Sequence, residues 1–309
     1  IAAMRAVANA ERLIRAGITT VRDCGCQGNV NIDLARAVRE GVVSMAPHIL
    51  ASGPAICMTG GHGHFVGLEA DGPDEVRKAV RQVLKAGADF IKLIATGGVI
   101  TPGVSAGATQ FSLEELAVAV EEARKVGATV AAHAHGAEGI RNALRAGVTT
   151  VEHASYVDDE GVRLFVETGA ILVSTLLASR RQMEHLNEVP EYVAYKISRH
   201  IDRESESVRR LIAAGVPAAG GTDAGTPFNP HGDLAEQLVI LAEHGLGNLG
   251  ALEAGTLVSA RALGIAEVTG SLTPGKRADI LAVEGNPAED LSRLKAVSAV
   301  WKSGKRLVG

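Results

Sequence analysis

The 309-residue chain is 46% hydrophobic and 21% charged, which excludes disordered and fibrous classes and leaves room for two ordinary domains or one large barrel with an appendage. Its 31 basic and 35 acidic side chains give a net charge of -4, no lysine or arginine block stands out, and aromatics are only 3%, so a nucleic-acid partner has no footprint here. No apolar run approaches the roughly 18 residues of a membrane span, and three cysteines, Cys24, Cys26 and Cys57, cannot all pair in a chain too large to need a disulfide scaffold, which points to a reducing, cytoplasmic setting.

The sequence opens at Ile1 without a methionine and runs straight into a helical pattern, so an upstream segment is expected. A junction then recurs in which a helix ends in small residues and glycine and a β-branched or apolar run follows at once. In chain order it is Arg15-Ala16-Gly17 before 18–21, Lys85-Ala86-Gly87 before 90–95, Val126-Gly127 before 129–132, Arg145-Ala146-Gly147 before 148–151, Thr168-Gly169 before 171–174 and Ala213-Ala214-Gly215 before 216–219. Residues 48–53, after Pro47, read as another strand, which makes seven strands alternating with helices. Helix 74–85 shows Val76, Ala79, Val80, Val83 and Leu84 at helical spacing, and helix 114–125 repeats this with Leu113, Leu116, Ala117, Val120 and Ala123. Ser112 three residues before Glu115 matches a capping box. Alternation of this kind predicts a parallel sheet, either a (β/α)8 TIM-type barrel or an open doubly wound sheet; seven strands mean that the fold is open or that one strand lies before Ile1. Beyond Asp223 the texture changes: 233–244 and 249–263 read as helices, 278–283 and 297–307 as strands, with turns at Pro274-Gly275 and Ser303-Gly304. The division expected is a barrel over 1–264 and part of a small β domain over 265–309.

In a parallel α/β fold, reactive groups collect at the carboxyl ends of the strands. Lys92 sits there between apolar pairs, and an ammonium so placed needs a reason. Three stand level: a buried ion pair, a Schiff base with a carbonyl substrate, or carbamylation into a metal ligand. His133 and His135 end another strand and, with period two, point to one side. His153 ends the next, and Asp223 follows a glycine-flanked strand. Imidazoles and a carboxylate converging from separate strands suit zinc or a similar divalent ion. His62 and His64, on a glycine-rich loop, read as pocket-lining residues, and His135 and Tyr156 as further substrate contacts. Arg180 or Arg181 is the cation expected to meet a substrate carboxylate. Cys24 and Cys26 read as small buried residues, and His185, His200, His231 and His244 as surface or structural.

These residues resemble the amidohydrolase superfamily, and within it the branch of imidazolonepropionase-like proteins and metal-dependent Xaa-Pro dipeptidases, which includes relatives that cleave N-acyl amino acids. The resemblance spans essentially the whole chain and rests on Phe90-Ile91-Lys92, Ala132-His133-Ala134-His135, Val151-Glu152-His153-Ala154, Gly221-Thr222-Asp223-Ala224, Pro230-His231-Gly232 and the closing stretch from Gly270 to Asp279. It implies a distorted (β/α)8 barrel with a small β-sandwich built from both chain ends. It also implies that carbamylated Lys92 bridges two divalent metals, zinc above all, that His133 and His153 hold the second, and that Asp223 binds the first and serves as general base and then acid. The family's His-x-His at the end of the first barrel strand has no counterpart here, and His62 and His64 follow a different strand. The activity implied is hydrolysis of an amide bond in a small molecule or dipeptide, such as an Xaa-Pro dipeptide or N-acyl amino acid. A cyclic amide hydrolase is the alternative, with a Schiff-base lyase using Lys92 and a non-catalytic scaffold behind it. Neither membrane nor nucleic acid is implied as a partner, and self-association into a homo-oligomer stays open.

Overall fold

The computed structural model describes residues 1–309. Nine parallel strands are β1 (Thr20–Asp23), β2 (His48–Ala51), β3 (Ile56–Cys57), β4 (Leu68–Glu69), β5 (Ile91–Ile94), β6 (Val130–Ala134), β7 (Thr150–His153), β8 (Ile171–Ser174) and β9 (Ala218–Gly220). β1 pairs with β2, and a second sheet runs β4-β3-β5-β6-β7-β8-β9. The two sheets join where Asp89, just ahead of β5, donates its amide to the Ala51 carbonyl at 2.8 Å and accepts the Ala51 amide on its carboxylate at 2.9 Å. Arg22 of β1 reaches Thr150 and Glu152 of β7 at 3.1 and 2.9 Å, a contact that requires the sheet to curl into a barrel wall.

The seven expected strands all form, several starting one or two residues later than the sequence pattern suggests. Helices between them lie on the outside. Helix Gly72–Ala86 buries Val76, Ala79, Val80 and Val83 and ends on Gly87, whose φ of 103° is the left-handed geometry that a side chain would resist. Helix Leu113–Arg124 starts with the Ser112–Glu115 capping box and buries Leu116, Ala119, Val120 and Ala123, while Leu113, expected on that face, is exposed. One cluster of 40 buried apolar residues fills the space between sheet and helices.

Three features depart from the sequence reading. The short strands β3 and β4 extend the sheet beside Leu93 at the upper end of β5. The helical stretch around His200 is a 23-residue helix, Glu191–Ala213, whose length was not legible because its inner face carries His200, Glu204 and Ser207 among the apolar residues and so breaks the hydrophobic period. Region 249–263 is two helices, Gly247–Ala254 and Leu257–Ala262, and 233–244 is Leu234–Leu241 running into a π turn at Ala242–Leu246.

The tail forms an antiparallel sheet of β10 (Ile280–Val283), β11 (Val297–Lys302) and β12 (Lys305–Val308), with 297–307 folded into a hairpin at Ser303-Gly304. It is sealed to the barrel near β1 and β2. Leu281 packs so closely on Gly17 that a Cβ there would lie 2.6 Å from it, and Lys302 donates to the Ala46 carbonyl at 2.9 Å. No helix is long and apolar enough to cross a membrane, and all three thiols are free.

Candidate metal and active site

Strand register dictates which side chains share the barrel interior. Ile91, Lys92, Leu93 and Ile94 pair with Val130, Ala131, Ala132 and His133, and His133 pairs with Glu152. Paired residues of parallel neighbours point to the same face and the side-chain period is two, so Lys92, His133, Thr150 and Glu152 face inward together. His153 has the opposite parity. It joins them because its backbone and that of Ala154 turn left-handed, with φ of 70° and 49°, a strained conformation away from glycine.

At the floor of the interior, Lys92 donates to Glu152 Oε2, while Glu152 Oε1 accepts from Arg22 at 2.9 Å and from Thr150 at 2.6 Å. Of the three explanations for Lys92, the buried ion pair is therefore the one seen. Glu152, which the sequence analysis passed over beside His153, was marked by its parity with Thr150.

Above this floor the imidazoles gather. Ring centroids of His133 and His153 are 4.7 Å apart, of His135 and His153 4.6 Å, and of His133 and His135 4.6 Å. One ligand nitrogen from each of these three lies within 4.8 Å of the others. One nitrogen of each ring is hydrogen-bonded: His153 Nδ1 with the Thr175 hydroxyl at 2.6 Å, His135 Nδ1 with Ser155 Oγ at 2.7 Å, and His133 Nε2 with the Gly97 carbonyl at 3.1 Å. Outer partners of this kind orient metal-ligating histidines. Burial, then the neighbouring imidazoles and Lys92, push all three pKa values well below the usual histidine range, so the rings are neutral and carry lone pairs. Donor type, convergence and protonation state all fit a divalent cation.

His62 is buried against this cluster, its ring 4.6 Å from that of His133 and its Nδ1 2.7 Å from Thr101 Oγ1. Burial, with Lys196, Lys92 and His64, lowers its pKa to about 4. His64 is exposed and binds the Gly61 carbonyl, apart from the cluster. Tyr156 donates its hydroxyl to His200 Nδ1 at 2.9 Å, and the His200 ring is 4.7 Å from that of His135. His200, expected to be surface or structural, is thus buried beside the site, with Glu204 behind it at 3.4 Å. His244 is buried and tied to Ile240 and Ser205, and His185 stacks on Phe228 at the surface. Neither Arg180 nor Arg181 is free to meet a carboxylate: Arg180 pairs with Glu243, and Arg181 with Glu184, Asp233 and Glu236.

Asp223 follows β9 in a second strained turn, φ 53°, held by Asn229, whose amide donates to the Thr222 and Asp223 carbonyls at 2.7 and 3.0 Å. Its side chain opens to solvent, yet the surrounding protein desolvates it. That burial raises its pKa to about 6, Lys92 opposes the rise, and Glu204 and Glu152 add to it. Asn229, Thr175 and Ser155 escaped the sequence reading because lone polar residues in loops carry no periodic signal.

Residues 1–307 match the amidohydrolase family, to which the chain belongs. Its sequence is 35% identical to the ochratoxinase of Aspergillus niger, over 95% of this chain and 66% of that protein, so it spans just under two thirds of that relative's length. Over 63% of the chain it is 32% identical to the imidazolonepropionase of Deinococcus deserti, covering 47% of that protein. Among solved structures it superposes on a Xaa-Pro dipeptidase with bound methionine in the active site, with a TM-score of 0.94 and 36% identity over 99% of this chain and 79% of that one. The α/β TIM-type barrel is the fold these proteins share.

Proposed function

We propose that this chain carries the active site of a metal-dependent hydrolase that cleaves the amide bond of a small substrate, such as an Xaa-Pro dipeptide or an N-acyl amino acid. The observation that carries the proposal is the convergence of His133, His135 and His153 within 4.8 Å, each with one nitrogen hydrogen-bonded. Likeness to an Xaa-Pro dipeptidase and an ochratoxinase supports a C–N bond as the target. His133, His153, Asp223 and Lys92 are the ligands we assign to two divalent ions, with zinc the choice that imidazole donors suit best. Such ions, when bound, lower the pKa of water toward about 7 and polarise the scissile carbonyl.

The chain's own groups supply the rest. Asp223 is the group that would take a proton from the attacking water and return it to the departing nitrogen; in the metal-free chain burial raises its carboxyl to about 6. Returning it matters because an amine is a poor leaving group. His135, His62 and Tyr156 line the approach, and His64 lies further out. For Lys92 to serve as a bridging carbamate its amine must lose a proton, add CO2 and leave Glu152. Arg22 and Thr150 already hold the other oxygen of that carboxylate and would keep it paired.

Hydrolysis of Xaa-Pro dipeptides, N-acyl amino acids and cyclic amides, assayed with zinc and bicarbonate, tests the proposal together with metal analysis. Turnover that a chelator abolishes and about two ions per chain are expected. Activity that survives chelation and is trapped by borohydride would replace the hydrolase with a Schiff-base enzyme on Lys92, and turnover of cyclic amides alone would move the substrate to lactams.

A further inference from the structure

The segment between β5 and helix Leu113–Arg124 touches three of the clustered histidines, two through their rings and one through its backbone amide. Gly97 offers its carbonyl to His133 Nε2 at 3.1 Å, Thr96 Oγ1 accepts the His135 amide at 2.9 Å, and Thr101 Oγ1 sits on His62 Nδ1 at 2.7 Å. Residues 98–104 of this segment make no backbone–backbone hydrogen bond. Beside them the Thr96–Thr109 bridge is reinforced, since Gly97 donates to the Ala108 carbonyl at 2.8 Å and its own carbonyl accepts Thr96 Oγ1 at 2.9 Å, but Gly97 and Gly98 have no side chains to pack. They cannot have them: a Cβ at Gly97 would lie 2.0 Å from the Ser105 carbonyl oxygen, and one at Gly98 2.3 Å from the His62 ring.

The backbone carbonyls of 98–104 are instead held from the first turns of helix Glu191–Ala213. Lys196 Nζ donates to the carbonyls of Gly98, Thr101 and Val104 at 3.2, 2.6 and 2.6 Å. Those three bonds use every N–H of an ammonium. Tyr192 donates to the Ile100 carbonyl at 3.1 Å, and Val99 packs on Val193 and Ile197. Lys196 makes no ion pair with a carboxylate; beside the three carbonyls its charge faces only the Tyr192 ring, 5.6 Å away.

We propose that Lys196 is a positioning residue: by tying down these three carbonyls it keeps the Gly97 carbonyl on His133 Nε2 and so decides which His133 nitrogen faces the other imidazoles. A carbonyl only accepts, so the Nε2 of a neutral His133 must carry the proton and Nδ1 the lone pair. Without the tie, Gly98 and the residues after it lose their partner, the Gly97 carbonyl is left with Thr96 Oγ1 as its remaining restraint, and His133 can present either nitrogen. The consequence for metal binding rests on the reading under Proposed function; the consequence for the His133 tautomer does not.

The test is Lys196→Met in metal-free protein carrying 15N-labelled histidine. Long-range proton–nitrogen spectra should show His133 as one Nε2–H tautomer in the wild type and as a mixture in the variant, with His48 and His244 unchanged. Zinc affinity, measured by chelator competition, should fall roughly 10- to 100-fold, as losses of outer partners do, and Lys196→Ala should recover part of it in ethylammonium. A folded Lys196→Met that keeps a single tautomer and binds zinc within twofold of wild type overturns the proposal and leaves Lys196 a structural tie. If Lys196→Met does not fold, Tyr192→Phe loosens the same loop: a smaller shift in the same direction supports the idea, and an unchanged tautomer overturns it. A wild type that takes up no zinc defeats the metal reading while the tautomer spectra still decide the role of Lys196.

Discussion

Two polar clusters share the barrel interior one level apart, and they are built on opposite principles. At the floor, Glu152 is saturated by Lys92, Arg22 and Thr150, and the one buried polar atom left over is Arg22 Nη1. One level up, His133, His135 and His153 are as deeply buried, yet each keeps a nitrogen uncommitted. Burial with every group paired is what stability demands; burial of convergent lone pairs is not. The floor is also unbalanced in charge, since two cations, Lys92 and Arg22, face one carboxylate, Glu152, and leave one positive charge. That excess helps keep the imidazoles neutral and holds down the pKa of Asp223 against burial. The saturated cluster thus prepares the unsaturated one.

The sharpest break between the two levels should appear at Asp223. Asp223→Asn should lower kcat by about 10²- to 10⁴-fold, the range of a lost proton transfer, while the metal-free protein is no less stable. A carboxyl whose pKa is raised by burial is a folding penalty when ionised, and removing it relieves that penalty. Urea unfolding in parallel with kinetics checks both halves, and a large stability loss would place Asp223 with the structural carboxylates. Glu152→Ala should behave in the reverse sense. It leaves the Lys92 ammonium and the Arg22 guanidinium without their carboxylate, which costs about 3–5 kcal/mol. A urea midpoint close to wild type would show that water reaches the floor and that the two levels differ less than their hydrogen bonding suggests.

How far this division was legible in the sequence depends on the kind of signal each residue carries. The glycine junctions marked the barrel strands because helix ends and strand starts are local events. His133 and His135 were legible through parity alone. His153 was found by its place at a strand end, although its parity is wrong, and the left-handed turn that corrects it is invisible in a residue string. Glu152 and Arg22 belong to strands far apart in sequence, so only the curl of the sheet reveals their pairing. His200 was placed on a helical stretch as surface or structural, but its nearness to the site was not legible: polar residues on the buried face of Glu191–Ala213 look like an exposed stripe until the barrel mouth is seen beside them. The arginines were misread in the other direction, since a cation near a strand end looks free until its carboxylates are placed around it.

A third buried carboxylate, far from the site, tests whether saturation alone accounts for stability. Asp279 in the tail is nearly inaccessible. Its Oδ1 accepts the Ser303 amide at 2.9 Å and faces His48 Nε2 at 3.5 Å, and its Oδ2 takes Arg277 Nε at 2.6 Å. Burial pushes its pKa up, but His48, the Ser303 amide and Arg277 outweigh it and bring it down to about 2. A depressed carboxyl favours the folded state wherever it is ionised. Its contribution, on the order of 2 kcal/mol, is therefore complete above the unfolded pKa of about 3.9 and is lost as pH falls through about 2. Glu122, held to about 2 by Arg81, Lys125 and Arg77, titrates in the same window, so the wild-type curve alone cannot assign the loss. The informative quantity is the difference between wild type and Asp279→Asn. It should be largest at neutral pH, shrink between pH 4 and pH 2, and appear first as exposure of Trp301 in the tail sheet, since that sheet is what Asp279 ties to β2 through His48. A difference that stays constant with pH would mean that Asp279 acts through its hydrogen-bond geometry and not through its charge. The contrast with the histidine cluster would then be one of pairing alone.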